Sequence, residues 1–175
     1  MKQANNLIFT GMPGSGKTYT ARRLAALLDL PFLDLDAYIE QKTGAGIPAL
    51  FTKGEAYFRR IEQACLSEIL VRDEAGYCLA TGGGTICYGN NLQLIKTRGI
   101  LVYLKADLET LLNRNMQARG SRPLLTATSR TEMEAKLSEL LRQREHFYLQ
   151  SDLYYQPESE SIRTFARRLQ HFRPA

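Results

Sequence analysis

The sequence predicts an α/β protein with a largely parallel sheet. Apolar runs typical of buried strands alternate with amphipathic helical patterns along the whole chain, as in successive βαβ units. A glycine-rich loop at 11–18 joins the first strand pattern to the first helix pattern. The chain has 175 residues, 44% of them hydrophobic, which is enough for a sizeable core but too few for two ordinary domains. We therefore expect one domain over 1–175.

The first two strands are predicted on either side of one amphipathic helix. Residues 7–9 form a short apolar run, and 18–30 carry apolar residues at helical spacing. Pro31 stops this helix. The second strand is predicted over 32–36, where it ends in two acidic residues.

Helical patterns dominate the segment after the second strand. A short helix over 37–43 is closed by Gly44. Pro48 can begin the next helical piece at its first position. A longer helix over 54–72 has a continuous apolar face, formed by Phe58, Ile61, Cys65 and Ile69.

The alternation continues through the middle of the chain. Residues 78–81 and 100–104 read as buried strands, and a short helix is predicted between them at 91–97. Asp107 is a candidate N-cap for a helix that runs to about residue 116. These elements supply the third and fourth predicted strands.

The last part of the chain begins with a segment of different composition. Gly, Pro and small polar residues dominate 117–130, which is predicted to be a mobile loop. Thr131 and Glu134 have the spacing of a capping box at the start of a long helix ending near residue 149. A short strand is predicted at 153–156. A final amphipathic helix carries Ile162, Phe165, Ala166 and Leu169.

Composition limits the classes of function. The net charge of +5 suits a protein that handles small polyanions, but the basic residues form no long run and the aromatic residues form no regular stacking platform. We therefore expect no nucleic-acid partner. No apolar run approaches the length of a membrane span, and the first six residues show no secretory signal. A monomer in the cytoplasm is expected.

Cysteines and histidines offer little chemistry. The three cysteines are odd in number and form no C-x-x-C pair, so we expect free thiols in a reducing compartment rather than disulfides or a zinc site. The two histidines, His146 and His171, are predicted to be surface residues.

The loop at 11–18 fits the pattern G-x-x-x-x-G-K-[ST], which wraps the phosphates of a nucleotide triphosphate. A strand, a glycine turn and a helix N-terminus aim backbone N–H groups at one point. Lys17 can reach the β- and γ-phosphates, and the Thr18 hydroxyl can ligate Mg²⁺. The alternative is a glycine turn without a ligand, which the agreement of motif and context disfavours.

Two carboxylates are expected at the same edge of the sheet. Asp34 and Asp36, two residues apart on the predicted strand, should point to one side of it. If this strand neighbours the first one, both acids face the phosphate loop across one crevice. One acid could hold hydrated Mg²⁺ and the other could accept a proton from a substrate hydroxyl. The alternative is that the acids cap the following helix.

An arginine lies between two carboxylates on the long helix at 54–72. Glu55, Arg59 and Glu62 share one helix face at spacings of four and three. Such neighbours could fix a guanidinium for bidentate binding of a substrate carboxylate. By spacing alone, a surface ladder of salt bridges is the favoured interpretation.

Glycines and arginines complete the candidate site. Gly82, Gly83 and Gly84 follow a buried strand and would let a ligand or another backbone lie flat against the chain. Arg119 and Arg122 lie in the predicted loop, where an arginine could close over a transferring phosphoryl group; Pro123 makes Arg122 the better candidate. On the next helix, the pattern does not decide whether Arg142 or Arg144 faces the cleft.

These motifs together resemble the shikimate kinase family, in order and over nearly the whole chain. The phosphate loop is shared with many families, but the combination is much more specific. The matching segments are Gly11–Thr18, Leu33–Asp36, Phe51–Glu62, Gly82–Gly84, Arg122–Leu125 and Arg144–Tyr148. The resemblance implies a three-layer P-loop kinase fold with a five-stranded parallel sheet, a substrate-binding helical segment at about 34–62 and a mobile lid at about 117–130. It implies phosphorylation of the shikimate 3-hydroxyl by ATP with Mg²⁺, a step toward chorismate and the aromatic amino acids.

The resemblance also implies individual roles. Asp34 would hold the metal through water together with Thr18, and Asp36 would bind the acceptor hydroxyls, as the base or only to orient them. Lys17, Asp36 and Arg122 are the implied catalytic residues. The implied nucleotide contacts are Gly14, Ser15, Gly16, Lys17, Thr18, Tyr19, Arg114 and Arg122. The implied acceptor contacts are Asp36, Arg59, Gly82, Gly83, Gly84 and Arg144.

Other interpretations of the phosphate loop remain at this point. A related small-molecule kinase, such as a gluconate or nucleotide kinase, would keep the loop and lid but not the G-E-x-x-F-R-x-x-E helix. A nucleotide-dependent switch would hydrolyse ATP without an acceptor. The polar and aromatic stretch 145–160 departs from the family pattern, which leaves the adenine-contacting loop undecided.

Overall fold

Five parallel strands form the central sheet. The computed structural model describes residues 6–72, 76–118 and 125–172. The strands are β1 (Leu7–Thr10), β2 (Phe32–Asp34), β3 (Cys78–Ala80), β4 (Ile100–Leu104) and β5 (Leu153–Tyr155). They lie in the order β2-β3-β1-β4-β5, and each neighbouring pair is parallel. The predicted α/β fold is confirmed.

Helices cover both faces of this sheet. They are α1 (Lys17–Leu28), α2 (Leu35–Thr43), α3 (Ile47–Phe51), α4 (Glu55–Leu70), α5 (Asn91–Lys96), α6 (Leu108–Gln117), α7 (Arg130–Tyr148) and α8 (Ile162–His171), with a 3₁₀ turn at Thr85–Cys87. The cluster of buried residues on one face draws its helical members from α1 and α8. Helices α2 to α7 contribute to the cluster on the other face. The result is a three-layer arrangement.

Strand side chains divide between these two clusters because successive residues of a strand point to opposite faces. In β1, Ile8 joins the cluster under α2 to α7, whereas Leu7 and Phe9 join the cluster under α1 and α8. All of β1 and β3 is buried. Burial on both faces explains why the strands read as continuous apolar runs rather than as alternating ones.

Two expectations about the second strand were wrong. It ends at Asp34 rather than at residue 36, and Asp36 lies in the first turn of α2. Asp34 is the N-cap, so its side chain competes for the backbone and starts the helix two residues early. In addition, β3 lies between β2 and β1. The connection through α2, α3 and α4 returns the chain to the middle of the sheet. The local sequence pattern of a strand does not indicate which strand will be its neighbour.

The start of the long helix also differs from the prediction. Ser129, not Thr131, is the N-cap, and its hydroxyl accepts a hydrogen bond from the Glu132 N–H at 3.1 Å. Glu132 in turn accepts from the N–H and the hydroxyl of Thr128. The box of capping residues is therefore displaced by two positions from the pair Thr131 and Glu134. Two S/T-x-x-E spacings overlap here, and the helix begins with the first of them.

The three cysteines are free, Cys65 and Cys78 being buried and Cys87 half-buried. Both histidines are exposed, as predicted. Within the described ranges, no helix has the length and apolar character needed to cross a membrane.

Candidate active site

The phosphate loop connects β1 to α1, and its glycines adopt conformations that other residues rarely reach. Gly14 and Gly16 have φ values of 86° and 96°, in the left-handed region that favours glycine. A Cβ on Gly11 would lie 2.6 Å from the carbonyl oxygen of Leu104 at the end of β4. The Ser15 hydroxyl is buried and has no hydrogen-bond partner among the described residues. Such a group suits a polar ligand in the loop.

The Lys17 ammonium packs on the backbone of the phosphate loop. It donates to the carbonyl oxygens of Gly11 and Met12, each at 2.9 Å, and the side chain is buried. The two contacts place a cation beside the helix N-terminus of α1, which also favours anions.

Thr18 and Asp34 meet across the crevice although β2 does not neighbour β1. The Thr18 hydroxyl donates to Asp34 Oδ2 at 2.9 Å. The other oxygen of Asp34 caps α2 by accepting from the N–H groups of Asp36 and Ala37 at 3.0 and 3.3 Å. The capping alternative for Asp34 was therefore correct, but it leaves Oδ2 facing the phosphate loop.

This donor pair fits Mg²⁺, which takes few protein ligands and keeps waters and substrate phosphates in its shell. Thr18 and Asp34 supply hard oxygen atoms at one point. Across the described part of the chain, no group of three or more His, Cys, Asp or Glu side chains is arranged to hold a metal.

Asp36 reaches the cleft from the first turn of α2. Its carboxylate is accessible to solvent through the open cleft. The surrounding walls still remove much of its hydration, and this desolvation, together with the charges of Asp34 and Glu62, raises its pKa to about 6. The Lys17 ammonium opposes the rise. A carboxylate with this pKa can exchange a proton near neutral pH.

Arg59 is buried at the floor of the cleft, so the surface ladder favoured by spacing alone was wrong. Its side chain is 7% exposed, and that of Glu62 is 1% exposed. Arg59 Nη1 donates to Glu62 at 2.7 Å, and Nη2 donates to Glu55 at 3.1 Å. Burial disfavours the charge on Arg59, but the two carboxylates outweigh that effect and raise its pKa. Glu62 is itself held by the Thr85 hydroxyl at 2.6 Å.

The three glycines after β3 make room for these side chains. A Cβ on Gly84 would lie 2.9 Å from Arg59 Cζ, and one on Gly82 would lie 3.0 Å from Glu62 Oε1. A Cβ on Gly83 would lie 2.8 Å from Pro13 Cδ in the phosphate loop. The expected close approach therefore exists, with the guanidinium and the phosphate loop as the neighbours.

The structure decides between the two arginines of α7. Arg144 is buried and lines the same cleft as Arg59. Arg142 is 74% exposed and pairs with Glu139 at 2.7 Å. The two residues lie about half a helical turn apart on α7, so one faces the cleft and the other faces solvent.

Most of the predicted site residues line one cavity of about 570 Å³, whereas Ser15 lines a second cavity and Asp34 lines neither. Residues of the phosphate loop, Arg59 and Arg144 all contribute to the lining of the first cavity. Its lining includes Gly14, Gly16, Lys17, Thr18, Tyr19, Asp36, Arg59, Gly82, Gly83, Gly84, Arg114 and Arg144. The second cavity, of about 720 Å³, begins at the other side of Tyr19 and Arg114 and extends to 155–163. Arg119 and Arg122 lie outside the described residues.

Comparison with known proteins decides which phosphotransferase this is. The sequence profile of the family described as shikimate kinase matches residues 13–172. The chain belongs to the shikimate kinase family. A shikimate kinase of Thioalkalivibrio sulfidiphilus is 38% identical over 174 residues, covering 98% of this chain and 88% of that protein. One of Pseudomonas savastanoi pv. phaseolicola is 44% identical over 144 residues, covering 82% and 80%.

A solved structure supports the same assignment. Shikimate kinase from Acinetobacter baumannii in complex with shikimate has a TM-score of 0.84 and 37% identity to this chain, over 97% of this chain and 92% of that one. The protein is therefore an enzyme of the shikimate kinase type, a phosphotransferase that acts on shikimate. The gluconate kinase, nucleotide kinase and switch alternatives are set aside.

Sequence reasoning missed several residues of this shikimate kinase site. Arg114 was expected near the nucleotide, and it donates to the carbonyl oxygens of Gly14 and Ser15 in the phosphate loop. The next residue, Asn115, was not expected there, but it donates to the carbonyl oxygen of Pro13 at 2.9 Å. The stacked rings of Phe51 and Phe58, 4.3 Å apart, lie beside Arg59. Asn115 gave no signal in the sequence, because one asparagine in a helix has no distinctive spacing.

Proposed function

We propose that this enzyme holds shikimate between Arg59 and Arg144 and transfers to it the terminal phosphoryl group of an ATP bound on the phosphate loop. One observation carries the proposal: a buried, carboxylate-fixed guanidinium and a second arginine share a cavity with Lys17. A fixed guanidinium matches a carboxylate in geometry as well as in charge. The related structure from Acinetobacter baumannii, which contains shikimate, supports an acceptor of this size and charge.

The acceptor hydroxyl is proposed to face Asp36. Its pKa of about 6 allows the ionised form to accept a hydrogen bond or a proton at neutral pH. The backbone of Gly82, Gly83 and Gly84 is proposed to line the ring of shikimate, since these residues form the cavity wall beside Arg59. Residues from 34 to 62 then act together as the substrate-binding segment.

The nucleotide is proposed to lie along both cavities. Its phosphates contact Lys17 and the amides of 14–18, and its nucleoside passes Tyr19 and Arg114 into the cavity of about 720 Å³. Thr18 and Asp34 are the residues proposed to hold Mg²⁺, which when bound neutralises phosphate charge. Arg122 is proposed to cover the phosphates from a lid at 117–130.

The state and location of the enzyme are part of the proposal. A monomer, as expected from the sequence, remains the proposed state. The free cysteines suit the reducing cytoplasm.

The test compares a substitution of Arg59 with the same substitution of the next residue on α4, Arg60. Arg59→Lys keeps a positive charge beside Glu62 but loses the planar fork, and Arg60 is an exposed arginine one position away. We expect Arg59→Lys to raise the KM for shikimate by about 10- to 100-fold, the value of a charge-assisted bidentate contact. The KM for MgATP should stay within about twofold. Arg60→Lys should leave both constants unchanged.

The reaction itself is checked by product identification. Wild-type protein incubated with MgATP and shikimate should yield shikimate 3-phosphate and ADP, identified by mass spectrometry and NMR. Equal increases of both KM values in Arg59→Lys would contradict the proposed acceptor site without affecting the identity of the reaction. An absence of shikimate 3-phosphate would contradict the reaction.

A further inference from the structure

Tyr148, the last residue of α7, is a fully buried aromatic residue behind the cleft. Its hydroxyl donates to the carbonyl oxygen of Gly83 at 2.5 Å. Its ring stacks on that of Tyr103, with the ring centres 5.0 Å apart and 24° between the planes. The stacking holds the ring in place, and the hydroxyl donates its hydrogen bond to the glycine segment after β3.

Gly83 lies between the phosphate loop and Tyr148. On one side Pro13 and the Gly11 carbonyl are so close that a Cβ on Gly83 would lie 2.8 and 3.2 Å from them. On the other side the Tyr148 hydroxyl holds its carbonyl and lies 3.8 Å from Met12 Sδ. The glycine segment is thus held between the phosphate loop and one tyrosine.

The hydrogen bond from Tyr148 orients a whole peptide unit and not only the Gly83 carbonyl. The Gly83 carbonyl and the Gly84 N–H belong to the same planar peptide unit, so fixing the first sets the direction of the second. Gly83 and Gly84 both line the cavity that contains Arg59. A rotation of this peptide would alter the wall against which an acceptor rests.

Tyr148 is also linked to Arg144, which lies one helical turn before it on α7 and shares its helix face. Burial raises the pKa of the Tyr148 hydroxyl, and the guanidinium of Arg144 is near enough to counteract that effect. The residue that holds the Gly83 carbonyl therefore lies on the same helix face as an arginine of the cleft.

We propose that Tyr148 is a positioning residue for the acceptor, which acts by fixing the Gly83–Gly84 peptide and the neighbouring Arg144. It does not line the cavity and acts only through these groups. The inference rests on the proposed placement of shikimate between Arg59 and Arg144. If Tyr148 only filled the core, loss of its hydroxyl would change stability but not the balance between the two substrates.

The experiment removes one hydroxyl and keeps the ring. Tyr148→Phe retains the stack with Tyr103 but leaves the Gly83 carbonyl without its donor. Tyr103→Phe is the matched control, because Tyr103 belongs to the same aromatic cluster and its hydroxyl makes no hydrogen bond within the described residues. The KM for shikimate, the KM for MgATP, kcat and the Kd for shikimate without nucleotide are measured at 10 °C and 25 °C.

We expect Tyr148→Phe to raise the KM and the Kd for shikimate by about 5- to 20-fold, the range for loss of a buried orienting hydrogen bond. The KM for MgATP should change by less than about twofold. Tyr103→Phe should leave all these constants near the wild-type values. The ratio of the two KM values is independent of the folded fraction, since unfolded protein lowers only the apparent kcat, so reduced stability of the variant does not obscure the result.

Two outcomes would overturn the inference. One is a KM for shikimate in Tyr148→Phe that equals the value in Tyr103→Phe. The other is a parallel rise of the KM values for shikimate and MgATP. Arg59→Lys, measured alongside, separates this failure from failure of the proposed acceptor site: if Arg59→Lys weakens shikimate and Tyr148→Phe does not, only the role of Tyr148 is wrong.

Discussion

Adding one methyl group at Gly84 tests whether the direction of the Arg59 guanidinium controls acceptor binding. A Cβ at this position would lie 2.9 Å from Arg59 Cζ and 3.0 Å from Nη1, and closer still to Nη2. Unstrained contacts between such atoms are about 3.5–4.0 Å. The closest atom, Nη2, sets the required displacement, so the guanidinium must move by roughly 1–1.5 Å. The backbone itself tolerates alanine, because Gly84 has φ −102° and ψ −4°.

The displacement can be converted into an expected effect. The hydrogen bonds from Arg59 to Glu62 and Glu55 are 2.7 and 3.1 Å long, and a shift of that size brings at least one of them to the limit of a useful bond. A misdirected guanidinium also loses part of its bidentate contact with a substrate carboxylate. Such contacts are worth about 1.5–3 kcal/mol, which corresponds to an increase of about 10- to 150-fold in the KM for shikimate.

The assay compares Gly84→Ala with Gly46→Ala. Gly46 has φ −66°, and the nearest atom to a Cβ there is 3.5 Å away, so an added methyl group meets only ordinary contacts. Initial rates are measured in a coupled assay with shikimate varied at saturating MgATP and then with MgATP varied at saturating shikimate. The melting temperature of Gly84→Ala should fall by only a few degrees, because the end of a flexible side chain can move away.

The reasoning fails if Gly84→Ala binds shikimate within twofold of the Gly46→Ala value. It also fails if the two KM values of Gly84→Ala rise by the same factor, because that would indicate a general disturbance of the site.

Two further predictions concern the acids at the start of α2. Asp36 has a pKa of about 6 against an ordinary value of 3.8, so the native state retains a proton that the unfolded chain releases. Its contribution to the free energy of unfolding therefore declines as pH rises through that interval. Without any solvent screening, this difference between the native and unfolded pKa of Asp36 corresponds to about 3 kcal/mol of unfolding free energy. Because the carboxylate is accessible to solvent, we expect roughly half of that value. In metal-free buffer, Asp36→Asn should match the wild type near pH 4 and exceed its stability by about 1–2 kcal/mol above pH 6 in urea titrations; an equal difference at both pH values would contradict the assignment. Asp34→Asn keeps an N-cap of equal quality, so its melting temperature should hardly change, while the Mg²⁺ concentration for half-maximal rate should rise about tenfold; an unchanged Mg²⁺ requirement would remove Asp34 from the proposed metal site.

The phosphate loop shows what local sequence determines. Glycines at 11, 14 and 16 with Lys17 and Thr18 specify one turn, because each glycine meets a backbone angle or a close contact that other residues do not tolerate. Loop, strand and helix are neighbours in the chain, so their relation needs no distant partner. The alternation of apolar runs likewise determined the fold class.

Asp36 shows where local reasoning reached a sound conclusion by a wrong route. The strand was expected to carry both acids on one side, but Asp34 ends the strand as the N-cap of α2 and the helical turn carries Asp36 into the cleft. Strand propensity and capping compete over these residues, and only the complete backbone decides between them.

By itself, the sequence determined the fold class, the nucleotide loop and the set of motifs that indicate a shikimate kinase, because each depends on residues close together in the chain. The tertiary structure alone decided that Arg59 is buried, that Arg144 rather than Arg142 faces the cleft, and that Tyr148 holds Gly83. For Arg59 and Tyr148, a close neighbour is contributed by a different part of the chain: Gly84 lies 25 positions after Arg59, and Gly83 lies 65 positions before Tyr148. Burial and direction arise from packing between such segments, and spacing along one helix carries no information about them.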